Sequence, residues 1–504
     1  MEYIIVQAGG KGTRLEHLTA NRPKALVPVG NLPMVFHLFR RYPDKRFVVI
    51  ADYKKEVMRK YLAAFAGVKY QVVDAEGTGT CAGVKQALRL LPESEPFLLV
   101  WSDLVLPETF CLPEEYRDGN VPEHDWIGIS RTFPCRWKYE NGTFAEEASR
   151  EQGVAGFFLF TDKGKLSEVP ENGELVRWMQ QQGMRFLETG LEGTKEFGLL
   201  EEYRKLEAEK CRPFNRITVR GDVLVKEAVD AQGRELAEHE CAWYEKAREL
   251  DTGALPRIFG TRPLEMEYIR GKNIYETDLS RKGKQEILGR LVEALKKLHA
   301  SGTVPADSFS IREAYYGKTV KRIAGIRDLV PFAGEKKIRV NGKCCRNVFY
   351  HLEELEKRVE ALECTEFAFI HGDCTFSNLM VRENGEPVLI DPRGYFGYTK
   401  LYGDVRYDWA KLYYSIAGNY DQFNLKRFRL DIGKTAEEGV RLSMESSGWE
   451  DMEAEFFRLT GADPYETRLL HAIIWLSLST YAWQDYDSVC GAFYNGLYYL
   501  EDVL

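Results

Sequence analysis

Short apolar runs alternate with helix-periodic stretches along the first 200 or so residues of the chain. YIIVQA (3–8), FVVIAD (47–52), KYQVVDA (69–75), FLLVWSDL (97–104), WIGIS (126–130) and GVAGFFLF (153–160) each read as a strand. KEVMRKYLAAFA (55–66) and AGVKQALRLL (82–91) carry helical spacing between them. This alternation predicts an α/β unit: a mixed, mostly parallel sheet covered by helices on both faces. A charged helical stretch, EEYRKLEAEKCR (201–212), reads as a connector. Beyond it ITVRGDVLVKEAV (217–229) predicts a hairpin turning at Gly221–Asp222. The pattern then turns helical over ELAEHECAWYEKAREL (235–250) and KQEILGRLVEALKKLHA (284–300). A pair of short strands returns at FAFIH (367–371) and PVLID (387–391), and the rest reads as aromatic-rich helix.

Length and charge narrow the class. A chain of 504 residues exceeds what one core usually serves, so two to four domains are expected. A net charge of −8 argues against general nucleic-acid binding, which needs a basic footprint. The ten cysteines form no CxxC pair and predict reduced thiols rather than a zinc site or a disulfide framework. The N-terminus enters a strand at once, and no apolar run is long enough to span a bilayer, so a cytoplasmic protein without a membrane span is expected.

The first candidate chemistry lies where the first strand ends, in QAGGKGTRLEHLTANRPKALVPV (7–29). A glycine loop after a strand turns backbone N–H groups toward an anion. The Walker pattern fails because Ile5 stands where its first glycine belongs, and the dinucleotide pattern fails at Leu15. What remains resembles nucleotidyltransferases of the sugar-1-phosphate and phosphocholine type. The resemblance places Ala8, Gly9, Gly10, Gly12 and Thr13 on the nucleotide phosphates. Arg14 would clamp the leaving phosphates and Lys24 would reach the α-phosphate or the acceptor phosphate. Glu76, Gly79 and Thr80 fall in the family's base-reading loop, EGTGT (76–80). Asp103 matches its Mg²⁺-binding aspartate, and Glu188, in LETG (187–190), is the candidate second metal ligand.

The second constellation is HGDCTFSN (371–378) followed by DPRG (391–394). His, Asp and Asn fall as in the kinase catalytic loop, and Asp391 falls at the metal aspartate. The segment resembles the aminoglycoside phosphotransferase and choline kinase superfamily over about residues 215–415. The resemblance makes Asp373 the residue that orients the acceptor hydroxyl, with Asn378 and Asp391 holding Mg²⁺ against ATP. Lys226 becomes the phosphate-binding lysine and Glu240 its helix partner, with Glu238 the alternative. Glu267 and Ile269 mark the adenine hinge. His371 holds the loop, and Asp404 and Asp408 brace it. Arg393 is left between binding an anionic substrate and pairing with an acid. The tail aromatics, Trp475 to Tyr499, read as helical core before they read as a cage for a quaternary ammonium.

Together these imply a nucleotidyltransferase domain (1–205), a kinase N-lobe (206–272) and a mostly helical C-lobe (273–504), the last two forming a protein-kinase-like bilobal α+β domain. The expected activity is bifunctional. ATP phosphorylates a small alcohol, either an amino alcohol such as choline or a sugar or polyol. A second NTP, with CTP favoured, is then coupled to the phosphomonoester to give an activated precursor for surface polysaccharide or lipid. Mg²⁺ is expected at both sites. The rival readings are an antibiotic-type phosphotransferase or a nucleotide-sensing scaffold, each with one degenerate domain.

Overall fold

In a computed structural model the chain is described at all residues except 118–119, 199, 201–214, 230 and 251–252. It divides into two compact units: Met1–Lys210 with Gln484–Tyr486, and Cys211–Trp483 with Asp487–Leu504. The connector read at 201–212 lies outside the described residues.

The first unit is built on a nine-stranded sheet. Strands Phe97–Trp101, Tyr3–Gln7, Arg46–Ala51 and Lys69–Asp74 lie side by side and parallel. Gly153–Phe160 joins antiparallel to Phe97–Trp101, and Trp126–Ser130 joins antiparallel to it in turn. Strand Tyr3–Gln7 is central, and Ile4, Ile5 and Val6 have no solvent exposure. That explains its unbroken apolar run, because a parallel strand covered on both faces has no polar side. The loops after Tyr3–Gln7 and Phe97–Trp101 leave the carboxyl ends of neighbouring strands, where open α/β sheets bind ligands.

The second unit begins with a four-stranded antiparallel sheet in the order 215–220, 223–228, 264–267, 258–261. The hairpin turns at Gly221, whose φ of 63° suits glycine. Helix Ala231–Ala247 packs beside it, and helix Arg281–His299 runs through the core with Trp243, Leu291 and Phe369. The strands expected at FAFIH and PVLID are present: Glu366–Phe369 pairs with Thr303–Pro305 and Tyr402–Gly403, and Pro387–Leu389 pairs with Leu379–Arg382. One expectation is corrected: the C-terminal part is not helix throughout, since Lys337–Val340, Lys343–Arg346, Phe428–Ile432 and Val440–Met444 form another sheet. Its signal was alternation: in Phe428–Ile432 and Val440–Met444 inward Leu430, Val440 and Leu442 alternate with outward Arg429, Asp431, Arg441 and Ser443.

Candidate active sites

In the first unit the glycine loop is shaped by close backbone approaches. Gly12 adopts φ 65° with the side chain of Lys24 directly against it. The carbonyl of Gly9 accepts from the Tyr53 amide (3.2 Å), and the Ala8 amide donates to Ile50 (3.0 Å). Gly10 faces open space, and Lys11, Thr13 and Arg14 are exposed, so this loop presents donors and cations outward. Loop 76–80 leans on 171–173: the Gly173 amide donates to the Thr78 carbonyl (2.9 Å) and the Cys81 amide to Gly173 (3.1 Å). Thr80 accepts the Leu175 amide on its hydroxyl (2.8 Å), and Glu76 accepts from Gln86 (2.6 Å). Both side chains, read from sequence as nucleotide contacts, thus have structural partners.

Lys24 pairs with Asp103 and stands 4.0 Å from Glu196. Burial raises the Glu196 carboxyl above its usual range, and the charge of nearby Asp103 adds to this against the opposing pull of Lys24 and Arg14. The other carboxylate oxygen of Asp103 is buried and has no hydrogen-bond partner. Glu188 is elsewhere, exposed on edge strand Leu187–Gly190 and paired along the backbone with Trp126–Ser130. The structure therefore brings Glu196, which sequence reasoning missed, to Asp103 in place of Glu188. No group of three metal-binding side chains gathers among the described residues. Two carboxylates with an unsatisfied buried oxygen still suit Mg²⁺, which takes one or two carboxylates and completes its shell with water and phosphate oxygens.

In the second unit Lys226 lies between two carboxylates, 2.7 Å from Glu240 and 2.8 Å from Asp391. Burial and Asp391 push the Glu240 carboxyl up to about 7, against the pull of Lys226. Glu238 has no part in this pairing. Asp391 holds φ 53°, an uncommon conformation for a non-glycine residue and one that clusters at functional sites. Asn378 donates its amide to the backbone and side chain of Asp373 (2.9 and 3.0 Å). Asp373 also pairs with Lys411 at 2.9 Å, a residue sequence reasoning did not single out. Burial alone would raise the Asp373 carboxyl, but Lys411 and Arg393 outweigh it and hold the carboxyl below its usual range. At the hinge Glu267 is gripped by Arg382 through two hydrogen bonds of 2.5 and 3.0 Å. Ile269 is buried beside it.

The loop is braced from below. His371 is fully buried; its Nε2 lies 3.0 Å from the Ile390 carbonyl and its Nδ1 accepts the Asp373 amide at 3.3 Å. Burial holds its ring below the ordinary histidine range, so it stays neutral. Asp408, also fully buried, accepts the amides of His371 (2.9 Å) and Gly372 (2.6 Å) and contacts His299 (2.9 Å). Asp404 caps helix Val405–Ile416 through the Arg406 amide. Among the described residues Arg393 pairs with no acid; it donates to the hydroxyls of Tyr407 (2.8 Å) and Tyr395 (2.9 Å). Of the tail aromatics, Trp475, Tyr486, Phe493 and Tyr494 are buried core residues, whereas Tyr481 is exposed.

Family models match both units: the MobA-like NTP transferase domain over residues 4–112, and the phosphotransferase enzyme family over residues 214–441. A UTP--glucose-1-phosphate uridylyltransferase from Haloferax volcanii is 42% identical over 176 residues, spanning 31% of this chain and 71% of that protein. The chain therefore belongs to the nucleotidyltransferase family, and its second unit matches the phosphotransferase family model. The nucleotidyltransferase region is also 28% identical over 180 residues to D-glycero-alpha-D-manno-heptose 1-phosphate guanylyltransferase of Campylobacter jejuni, covering 31% of this chain and 75% of that one. To mannose-1-phosphate guanyltransferase of Yarrowia lipolytica it is 33% identical over 142 residues, 26% of this chain but only 39% of the relative's length. Among solved structures, the inositol-1-phosphate CTP transferase from T. maritima aligns at 20% identity with a TM-score of 0.32, covering 40% of this chain and 91% of that chain. No helix among the described residues is long and apolar enough to cross a membrane.

Proposed function

We propose that the chain catalyses two consecutive transfers. The phosphotransferase unit moves the γ-phosphoryl of ATP to a hydroxyl of a small molecule, and the nucleotidyltransferase unit couples the resulting phosphomonoester to an NTP. The observation that carries the proposal is that both polar constellations, Lys24–Asp103–Glu196 and Lys226–Glu240–Asp391 with Asp373–Asn378, are assembled from distant segments of one chain.

In the kinase step the acceptor oxygen attacks the γ-phosphorus and ADP leaves. Asp373, fixed by Asn378 and Lys411, orients the hydroxyl and takes its proton late, as suits a loose phosphoryl-transfer transition state. Lys226, held by Glu240, grips the nucleotide phosphates. In the second step a phosphomonoester oxygen attacks the α-phosphorus of the NTP and pyrophosphate leaves. Lys24 neutralises charge at the reacting phosphate while the exposed Arg14 meets the leaving phosphates. Asp103 with Glu196, and Asn378 with Asp391, would hold Mg²⁺, which supplies charge neutralisation between phosphate oxygens when bound. The curated relatives named above act on sugar 1-phosphates, which favours a sugar as the molecule carried between the steps. CTP, suggested by the small size of the first domain, is to be tested beside GTP and UTP.

The test follows ADP and pyrophosphate separately, with ATP, each NTP and a panel of hydroxyl compounds. Lys24→Ala should remove pyrophosphate release and leave ADP formation, and Asp373→Ala should do the reverse. Loss of both activities from either substitution in a folded protein would sink the two-site proposal.

A further inference from the structure

Asp373 faces the cations Lys411 and Arg393. Three cations converge on one ring, that of Tyr407: Lys318 Nζ at 5.8 Å, Lys411 Nζ at 5.9 Å and the Arg393 guanidinium at 6.0 Å from its centroid. Arg322, one turn beyond Lys318 on helix Lys318–Ala324, stacks over Tyr481 at 5.5 Å and donates to Ser477. Only Lys411 has a carboxylate partner, and that partner is Asp373 itself. Lys318, Arg322 and Arg393 form no ion pair among the described residues. They are held by tyrosine faces, tyrosine hydroxyls and the serine instead. Glu313 is an acid that acts on Lys318, and its carboxylate lies 3.4 Å from the Tyr398 hydroxyl.

Gathering partly buried cations without counter-ions is costly, and a fold that does so at a binding site is set up for an anion. Burial, then the repulsion of Arg393, Arg322 and Lys411, holds the Lys318 ammonium well below its ordinary range. A bound anion would relieve that repulsion. A quaternary ammonium would add to it, because the face of Tyr407 already serves three cations.

Resting on the kinase reading above, we propose that the acceptor of the phosphotransferase unit is a hydroxyl compound that carries its own anionic group, a carboxylate or a phosphate, seated on Lys318, Arg322 and Arg393 with the reacting hydroxyl at Asp373. The same anion then remains on the phosphomonoester passed to the second reaction.

The experiment uses the full chain with Mg·ATP and matched acceptors: glucose against glucuronate and glucose 6-phosphate, glycerol against glycerate, and choline. Kinetics are read as ADP release. Anionic members should exceed their neutral partners in kcat/KM, and glucuronate against glucose 6-phosphate separates carboxylate from phosphate. Lys318→Met should lower acceptor kcat/KM by about tenfold or more, the effect of one charge-assisted hydrogen bond, with the KM for ATP little changed. Lys318→Arg should restore part of the loss. Where no acceptor turns over, calorimetric titration of glucuronate and glucose 6-phosphate into the complex with a non-hydrolysable ATP analogue gives the second readout. Binding that Lys318→Met weakens supports the assignment. Preference for a neutral member or for choline, indifference to Lys318→Met, or no anion binding overturns it. Protection of the protein by Mg·ATP against thermal unfolding, and its loss in Asp391→Asn, reports on the kinase reading separately. A protein that binds ATP but prefers neutral acceptors defeats the acceptor assignment alone.

Discussion

At the scale of single residues, the two carboxylates beside Lys24 are the sharpest case. Glu196 stands with Asp103 and Lys24, whereas Glu188 points to solvent from an edge strand. Glu196→Gln should therefore raise the Mg²⁺ concentration needed for half-maximal pyrophosphate release, and Glu188→Gln should leave it unchanged. Equal effects would reject the pairing of Glu196 with Asp103. Asp408 makes a different prediction. It satisfies two backbone amides and faces His299 in a fully buried position. Asp408→Ala strands those donors and should destabilise the second unit by about 3–5 kcal/mol, the usual cost of removing one partner of a buried charged network. Denaturant unfolding checks the magnitude, and ADP release should fall with it while pyrophosphate release persists. Lys24 and Asp103, which the structure pairs, both stand out in the sequence because an ordered motif surrounds each. Glu196 was not, since nothing in KEFG marks a ligand until the fold brings it to Asp103.

At the scale of elements, glycines set how closely loops approach. Gly77 has φ 98°, and a Cβ there would overlap the Glu171 carbonyl that the Thr78 amide bonds. Gly77→Ala should push loop 76–80 off its support at 171–173. The expected result is a higher KM for the NTP in pyrophosphate release with unchanged ADP formation; an unchanged KM would show that the loop does not contact the nucleotide. The strands of the first unit were readable because they are buried runs of apolar residues. Leu379–Arg382 was missed because LMVR is short and adjoins the catalytic loop, so its strand character comes from pairing on both sides, with Gly271–Asn273 and Pro387–Leu389. Tertiary pairing outweighs local preference in such short segments.

At the scale of the whole molecule, the residues proposed for each reaction belong to one unit. Mixing Lys24→Ala and Asp373→Ala proteins should therefore restore formation of the nucleotide-linked product from ATP, NTP and acceptor, because the phosphomonoester made by one can be used by the other. Absence of product from the mixture, with each single activity intact, would mean that the intermediate is not released. The stability of the second unit also carries a pH signature. His471 is fully buried, its Nε2 accepts from the Trp475 indole at 3.0 Å, and burial lowers its ring to about 3. The unfolded chain takes up a proton at this residue below about pH 6.5 and the folded one does not. Stability contributed here is thus present above that pH and is lost on acidification toward 3, by up to about 1.4 kcal/mol per pH unit. Unfolding of wild type and His471→Gln compared across pH 4–7 checks this: the variant should lose less stability as pH falls, and parallel curves would refute it.

The sequence by itself determined the resemblance to two families and marked the glycine loop with Lys24 and the HGDCTFSN segment with Asp373 and Asn378, because backbone approach to phosphate and in-line transfer demand particular residues at short spacing. Only the tertiary structure decided what those groups meet. It put Glu196 at Asp103, Lys411 on Asp373, and Lys318, Lys411 and Arg393, from three separate stretches of chain, around Tyr407. Charges that are solvated and uninformative along a sequence acquire meaning only when folding removes their water and sets them side by side.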